Sequence, residues 1–330
     1  MNNEKKLKPI PIAEVSQLCQ EFLEFKRATG LKYTSEERTL RYFIRFCNEQ
    51  YIDGNLPEDA IFKWINESDN RSLKTRSNYA STMTIWAKYI FSLGYIQMRI
   101  PNVRFSKNTA FVPHIFTSDE LARIWNTVDN IKPTKVYPNL HKCIPVLFRL
   151  LYSCGLRISE ALQIRLDDID FTKNVIILKH AKLDRERLIP MSDSLAKIIK
   201  TYVEGHVNEL KKDSPIFFYR LEQQLTQRSI YPRFRIILED SGIPYEGRLR
   251  GPRIHDFRHT FAVVTMNRMY DEGHDLYTAL PILSAYLGHS GVKSTERYIR
   301  LTEDRLSTVT DSLQLHLPEI FPEVKPDEEL

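Results

Sequence analysis

Helical periodicity runs through most of this chain and fails over one long stretch, and that break decides how many cores the chain can build. Val15, Leu18, Phe22 and Phe25 recur at the spacing that puts apolar side chains on one face of a helix. A second helix opens at Thr34-Ser-Glu-Glu37, a capping-box pattern, and turns Leu40, Phe43 and Cys47 inward. A later stretch places Tyr79, Met83, Trp86, Ile90 and Leu93 on one stripe and stops at Gly94. From Pro101 to Pro113 there is no periodicity. A new pattern then starts at Thr117-Ser-Asp-Glu120, a second capping box, with Phe116 and Leu121 placed as a hydrophobic staple and Ile124, Trp125 and Val128 continuing the stripe. The expected organisation is an extension at 1–11, a helical domain at 12–100, a linker at 101–116, a second domain at 117–318 and an acidic tail at 319–330.

The second domain adds a little β structure. Residues 174–180 and 187–191 read as the two arms of a β-hairpin around the charged turn Ala181-Lys-Leu-Asp-Arg-Glu186, and 216–219 read as a further short strand. The fold class is therefore mainly α with a small β-hairpin or sheet (α+β).

At 330 residues the chain is long enough for two domains with real cores. It lacks the run of about eighteen apolar residues that a membrane span needs, and its start, Met1-Asn-Asn-Glu-Lys-Lys6, has no apolar secretion core. The four cysteines show no Cys-x-x-Cys spacing and read as reduced thiols, which points to the cytoplasm. Net charge is +5, but its distribution is uneven. Residues 302–330 carry 2 Lys/Arg against 8 Asp/Glu, so an acidic end masks a basic body. Such a body suits a polyanion, and a solvated basic surface explains it as readily. The aromatic stripe of the first domain reads as core; Lys74, Arg76 and Lys88 beside it, and Arg104 and Lys107 in the linker, are candidate phosphate contacts.

Four clusters can carry chemistry. In Gly155-Leu-Arg157-Ile-Ser-Glu160 the glycine ends an apolar helix and Arg157 opens a new one, with Ile158, Leu162 and Leu166 inward. Arg157 and Glu160 are three apart and share a face, so the carboxylate can orient the guanidinium toward a phosphate. A surface ion pair is the plainer reading. Lys182 sits in the hairpin turn, where most lysines are simply solvated. His255 and Arg258 share a face of a third cluster; His255-Asp-Phe-Arg-His259 also has the spacing of a zinc-binding pair, although no third ligand is evident. In the fourth cluster Gly288 marks a helix end, His289 follows it, and Tyr298 stands nine residues later.

In this order the four clusters resemble the tyrosine recombinase (phage integrase) family, whose pattern is Arg, Lys, His-x-x-Arg, His or Trp, and Tyr. The matching residues are Arg157, Lys182, His255, Arg258, His289 and Tyr298, and the resemblance spans roughly 12–315. It implies a helical core-binding (SAM-like) domain followed by a catalytic tyrosine recombinase domain. It implies a site-specific recombinase or integrase, Xer-like or transposon-borne, that cuts and rejoins DNA through a 3′-phosphotyrosyl bond at Tyr298. No metal, ATP or other cofactor is expected. Glu160 would hold Arg157 from behind. The implied partners are double-stranded DNA and three further copies of the chain in a homotetramer, with no membrane. The segment 301–317 would pack on a neighbouring protomer or cap its own domain.

The hairpin departs from the family's usual Gly-Lys-Gly. It reads Ala181-Lys182-Leu183, so Lys179, Lys182 and Arg185 all compete for the lysine's role, and register back from Arg187 and Pro190 selects Lys182. Residues 270–280 lengthen the path from His255 to His289. The same chemistry also fits a type IB topoisomerase-like or telomere-resolving enzyme, and the same fold fits a DNA-binding protein that has lost catalysis.

Overall fold

The computed structural model describes residues 7–67, 71–103, 112–179, 186–205, 213–220, 223–245, 247 and 251–288. The chain divides into two compact units, Met1–Ala110 and Phe111–Leu330.

Among the described residues, four helices build the first unit: α1 (Ile12–Ala28), α2 (Thr34–Gln50), α3 (Ala60–Asn66) and α4 (Leu73–Ser92). Their apolar stripes close on Trp86, which is fully buried and meets Phe43 edge-on at 5.7 Å. Trp64 stacks on Tyr79 at 4.9 Å and joins α3 to α4. Two details differ from the periodic reading. Phe25 is half exposed and lies outside the core, stacked on Tyr89 at 5.5 Å. Leu93 caps α4 and is nearly half exposed.

The capping box expected at Thr34 does not form. Tyr33 is the cap, in the left-handed region at φ 47°, and no side chain closes on the helix start. Glu37, which would have completed the box, is taken by Arg27 and Arg41. Two guanidiniums hold a carboxylate more strongly than one amide N–H does. At Thr117 both halves of the box are present, although His114 Nε2 also reaches the Glu120 carboxylate at 3.0 Å: Glu120 N–H donates to Thr117 Oγ1 at 3.2 Å and Thr117 N–H to Glu120 Oε2 at 2.8 Å.

The second unit is built around α6 (Leu140–Cys154), which packs between α5 (Ser118–Asp129), α8 (Asp193–Glu204) and α10 (Asp256–Asp271). After α6 come the single turn α7 (Ile158–Ala161), a 3-10 turn (Leu166–Asp168) and an antiparallel sheet of β1 (Ile169–Asp170), β2 (Val175–Leu178) and β3 (Arg187–Pro190). The hairpin is thus the outer part of a three-stranded sheet. Ile176 pairs with Ile189 and both are buried, whereas Leu188 faces solvent, which is the alternation a one-sided sheet requires. Beyond α8, β4 (Phe218–Arg220) pairs with β5 (Gln223–Gln224), one to two residues later than the strand expected at 216–219. Then come α9 (Gln227–Asp240), α10 and α11 (Leu276–Leu287).

The helix expected to run inward from Arg157 through Leu166 lasts one turn. The backbone at Ile164–Leu166 instead pairs with the segment at 214–216, Ile216 N–H donating to Ile164 O at 2.9 Å. Tertiary hydrogen bonds outweigh a weak local helical preference here. The longer path at 270–280 is the last turn of α10, a bend through Gly273 at φ 85° and the start of α11. All four cysteines are buried free thiols. No described helix is long and apolar enough to cross a membrane.

Phe257 locks α10 into this core. Its ring is fully buried and contacts Phe116 (5.0 Å), Phe148 (5.4 Å), Phe234 (5.8 Å) and Trp125 (6.0 Å), from four different segments. Because His255 and Arg258 flank it, this packing sets where both point. Phe257→Ala should destabilise the second unit by about 3–5 kcal/mol, which urea denaturation followed by near-ultraviolet circular dichroism will measure.

Candidate active site

Arg157 acquires its position from the backbone on either side of it. α6 stops at Gly155, which adopts φ 57°; a Cβ there would lie 2.3 Å from the Phe261 ring, so both conformation and packing demand glycine. Leu156 is buried, and Arg157 follows in extended conformation as the residue that caps α7. Three residues on, Glu160 folds back. Its Oε2 accepts the Arg157 backbone N–H at 2.9 Å, and its Oε1 accepts from Nη1 of the Arg157 side chain at 2.6 Å.

Two more guanidiniums reach the same carboxylate. Arg187, the first residue of β3, places Nη2 2.9 Å from Oε1, a charge contact rather than a well-aligned hydrogen bond. Arg258, on α10, places Nη1 3.9 Å from Oε2. Burial by itself pushes the Glu160 carboxyl up. The Arg157 backbone N–H and the charges of Arg187 and Arg157 outweigh it and hold the group below its ordinary range. Three cations around one anion leave the cluster with a surplus of positive charge.

The same three arginines also close the end of α11. Arg187 Nη1 donates to the Tyr286 carbonyl at 2.9 Å, Arg258 Nη2 to the Leu287 carbonyl, and Arg157 Nη2 to the Gly288 carbonyl at 3.1 Å. Three consecutive carbonyls at the negative end of a helix therefore each receive one guanidinium. Arg258, almost fully buried, donates as well to Gly155 O at 2.9 Å and so ties the end of α6 to the end of α11. Gly288 adopts φ 63°, the left-handed region that favours glycine, and the Arg187 guanidinium packs against it, so a Cβ there would require that side chain to shift.

His255 stands at the cap position of α10, half-buried, with its ring edge-on to His259 at 4.8 Å. His259 itself is buried in the core. Between His255 and Arg258, Asp256 is fully buried and accepts the Arg253 N–H at 2.8 Å. Burial pushes its carboxyl up, against the pull of Arg253 and the His114 N–H. Among the described residues no group of three or more His, Cys, Asp or Glu side chains is placed to hold a metal ion.

A family model described as the phage integrase family matches residues 114–305. The chain belongs to the phage integrase family. Tyrosine recombinase XerC of Oceanobacillus iheyensis is 26% identical over 311 residues, covering 92% of this chain and 89% of the relative. Two solved structures share the integrase fold. XerH site-specific recombinase bound to palindromic difH substrate, in a post-cleavage complex, superposes with a TM-score of 0.61 at 18% identity, covering 94% of this chain and 99% of that one. The Tn1549 transposon integrase in complex with transposon right end DNA does so with 0.59 at 18% identity, covering 89% and 99%. As a tyrosine recombinase, the chain is an enzyme of DNA strand breakage and rejoining.

For this integrase the structure brings together three of the residues singled out from sequence, Arg157, Arg258 and Glu160, with His255 one turn from Arg258 on the same helix. Lys182, His289 and Tyr298 lie outside the described residues, as do Arg104, Lys107 and the segment 301–317. Lys179, the alternative to Lys182, sits 2.6 Å from Asp168 Oδ1. In the first unit, Lys74 and Lys88 are exposed on α4, whereas Arg76 is half-buried and donates to Asn66 Oδ1 at 2.7 Å, so part of its capacity serves the α3–α4 contact. Tyr286, near the cluster, stacks on Phe261, and burial raises its hydroxyl well above the usual range, which suits it poorly to act as a nucleophile. Sequence reasoning missed Arg187. It served only as a register mark for the hairpin, and only the sheet register places it on Glu160.

The lowered Glu160 carboxyl makes a pH prediction. A carboxylate held below its ordinary range adds stability that is present above that range and is lost as pH falls through the lowered value. Glu160→Gln should therefore cost about 3–5 kcal/mol at neutral pH by leaving buried cations unpaired. The gap between variant and wild type should narrow as pH falls into the acid range, measured by denaturant melts across that range.

Proposed function

We propose that this integrase is a site-specific DNA recombinase in which Tyr298 attacks a DNA phosphodiester. The Tyr298 oxygen bonds to phosphorus, the bond from phosphorus to the 5′-oxygen breaks, and the protein is left joined to the 3′-phosphate. A tyrosine of ordinary pKa, about 10, needs help to attack at neutral pH, and His255 takes its proton. Arg157 and Arg258 clamp the non-bridging oxygens as negative charge gathers on them, and His289 donates a further hydrogen bond. Lys182 gives a proton to the departing 5′-oxygen. Attack by a new 5′-hydroxyl on the phosphotyrosine reverses these steps on another strand. The phosphodiester bond energy is stored in the protein–DNA linkage, so ATP is not needed, and guanidinium and lysine charge takes the role that a divalent cation has in many nucleases.

The observation that carries this reading is the convergence of Arg157 and Arg258, about a hundred residues apart in the chain, on one carboxylate and one helix end. That helix end runs straight into His289 in the sequence. A site with surplus positive charge fits a phosphodiester.

Double-stranded DNA is the proposed substrate, as it is for XerH and the Tn1549 integrase in their complexes. Lys74, Arg76, Lys88, Arg104 and Lys107 are proposed to meet backbone phosphates, giving salt-sensitive binding. Four protomers on two paired sites form the proposed working assembly.

A nicked suicide duplex carrying the recombination site tests the reading. Wild type should form a covalent DNA adduct in EDTA, and Tyr298→Phe should form none while binding the same DNA equally well. Arg157→Ala should slow adduct formation by about 10²–10³-fold, the cost of removing one donor from a charge clamp. An adduct that persists in Tyr298→Phe, or cleavage that stops on removing divalent cations, would overturn the assignment.

A further inference from the structure

Asp256, the first residue of α10, is fully buried, whereas His255 just before it is half-buried. Two segments of the chain meet on its carboxylate. From the turn that leads into the helix, Arg253 N–H donates to Oδ2 at 2.8 Å and Arg253 Nη2 to Oδ1 at 3.2 Å. From the segment that enters the second unit, the His114 N–H donates to the same group. The Asp256 N–H donates back to Arg253 O at 2.8 Å and closes the turn. His255 lies inside that turn.

The entering segment is strapped along α10. Phe116 N–H donates at 3.0 Å to Oγ1 of Thr260, which is fully buried and donates in turn to Asp256 O at 2.8 Å. The Phe116 ring stacks on Phe257 at 5.0 Å, and Ile115 packs against the cluster that holds Ala262 and Met266. His114 has its own anchor, with Nε2 3.0 Å from Glu120 Oε1. An aspartate at an exposed helix start adds little beyond a favourable interaction with the helix dipole. Asp256 differs, because no solvent replaces a donor lost from a buried carboxylate. Arg258 is secured elsewhere, by the Gly155 and Leu287 carbonyls. Loss of the Asp256 charge therefore falls first on the turn that holds His255.

From this geometry we infer that Asp256 is a positioning residue for His255: by tying Arg253 and His114 to one buried carboxylate, it sets where the imidazole stands, and strand cleavage depends on it through His255. This rests on the reading of His255 as general base. In the step concerned, the Tyr298 hydroxyl proton passes to a ring nitrogen of His255 and the Tyr298 oxygen bonds to phosphorus. The 5′-oxygen leaves with its bonding pair and takes a proton from Lys182. A base displaced by a fraction of an ångström loses much of its effect. Such a lesion has nothing left to remove once the imidazole is gone, whereas a lesion of the fold or of the arginine clamp persists.

The test is a double-mutant cycle on single-turnover cleavage by the full chain, on saturating suicide duplex, with DNA affinity measured alongside. Asp256→Asn keeps the shape of the side chain but turns an NH2 toward one of the N–H donors. His255→Ala should lose about 10²-fold or more, the usual contribution of a general base. Asp256→Asn should lose about 10-fold or more, a fraction of the same contribution, and should bind DNA normally. Placed on Arg157→Ala, Asp256→Asn should cost its full factor again. Placed on His255→Ala, it should change the rate by no more than about 2-fold, the scatter expected of independent effects. If His255→Ala cleaves at the wild-type rate, the general-base assignment falls, and the inference with it. If His255→Ala is slowed as expected but Asp256→Asn keeps the wild-type rate, or costs its full factor on His255→Ala too, the assignment stands and the positioning role is overturned. Should Asp256→Asn fail to fold, Arg253→Met decides alone. It removes one donor from the carboxylate at a partly exposed side chain, and either no loss of rate or a loss that persists on His255→Ala overturns the inference.

Discussion

Burying a carboxylate alone costs several kcal/mol, and at Glu160 that cost is met by Arg157, Arg187 and, at longer range, Arg258. The exchange works in both directions. The carboxylate neutralises one of three positive charges and fixes the directions of the side chains that carry them. The remaining charge is what a phosphodiester would meet. Each guanidinium has N–H groups left after contacting Glu160, and each spends one on a carbonyl at the end of α11. The ends of α6 and α11, the one-turn helix α7 and the first residue of β3 are thereby held by a single electrostatic centre.

The rest of the second unit serves that centre from a distance. Phe257 anchors the first turn of α10 in the aromatic core, and Arg258 comes with it. Gly155 and Gly288 give the two helix ends the left-handed backbone and the open space that the Phe261 ring and the Arg187 guanidinium require. Asp168 and Lys179 fasten the sheet beside it. Charge, packing and backbone conformation all favour one arrangement here, and such agreement across levels marks a well-specified site.

Much of this was legible in the sequence, for identifiable reasons. Leu40, Phe43 and Cys47 repeat at helical spacing and are buried. The capping box at Thr117 formed because the Glu120 carboxylate can bind the Thr117 N–H and His114 at once. The same pattern at Thr34 failed because Arg27 and Arg41 draw Glu37 away, and a local motif carries no information about distant arginines. The short length of α7 was hidden for a similar reason, since its end is set by pairing with residues about fifty positions later. Arg157, Glu160 and Arg258 stood out through their spacing and order. Arg187 did not, because its meaning depends on the strand register that carries it to Glu160.

The most direct test of the account is to digest the DNA adduct trapped by the wild-type protein and locate the nucleotide remnant by mass spectrometry. The account predicts a remnant bonded through the phenolic oxygen of Tyr298, formed with EDTA present throughout. A remnant on any other side chain, Tyr286 included, would contradict it.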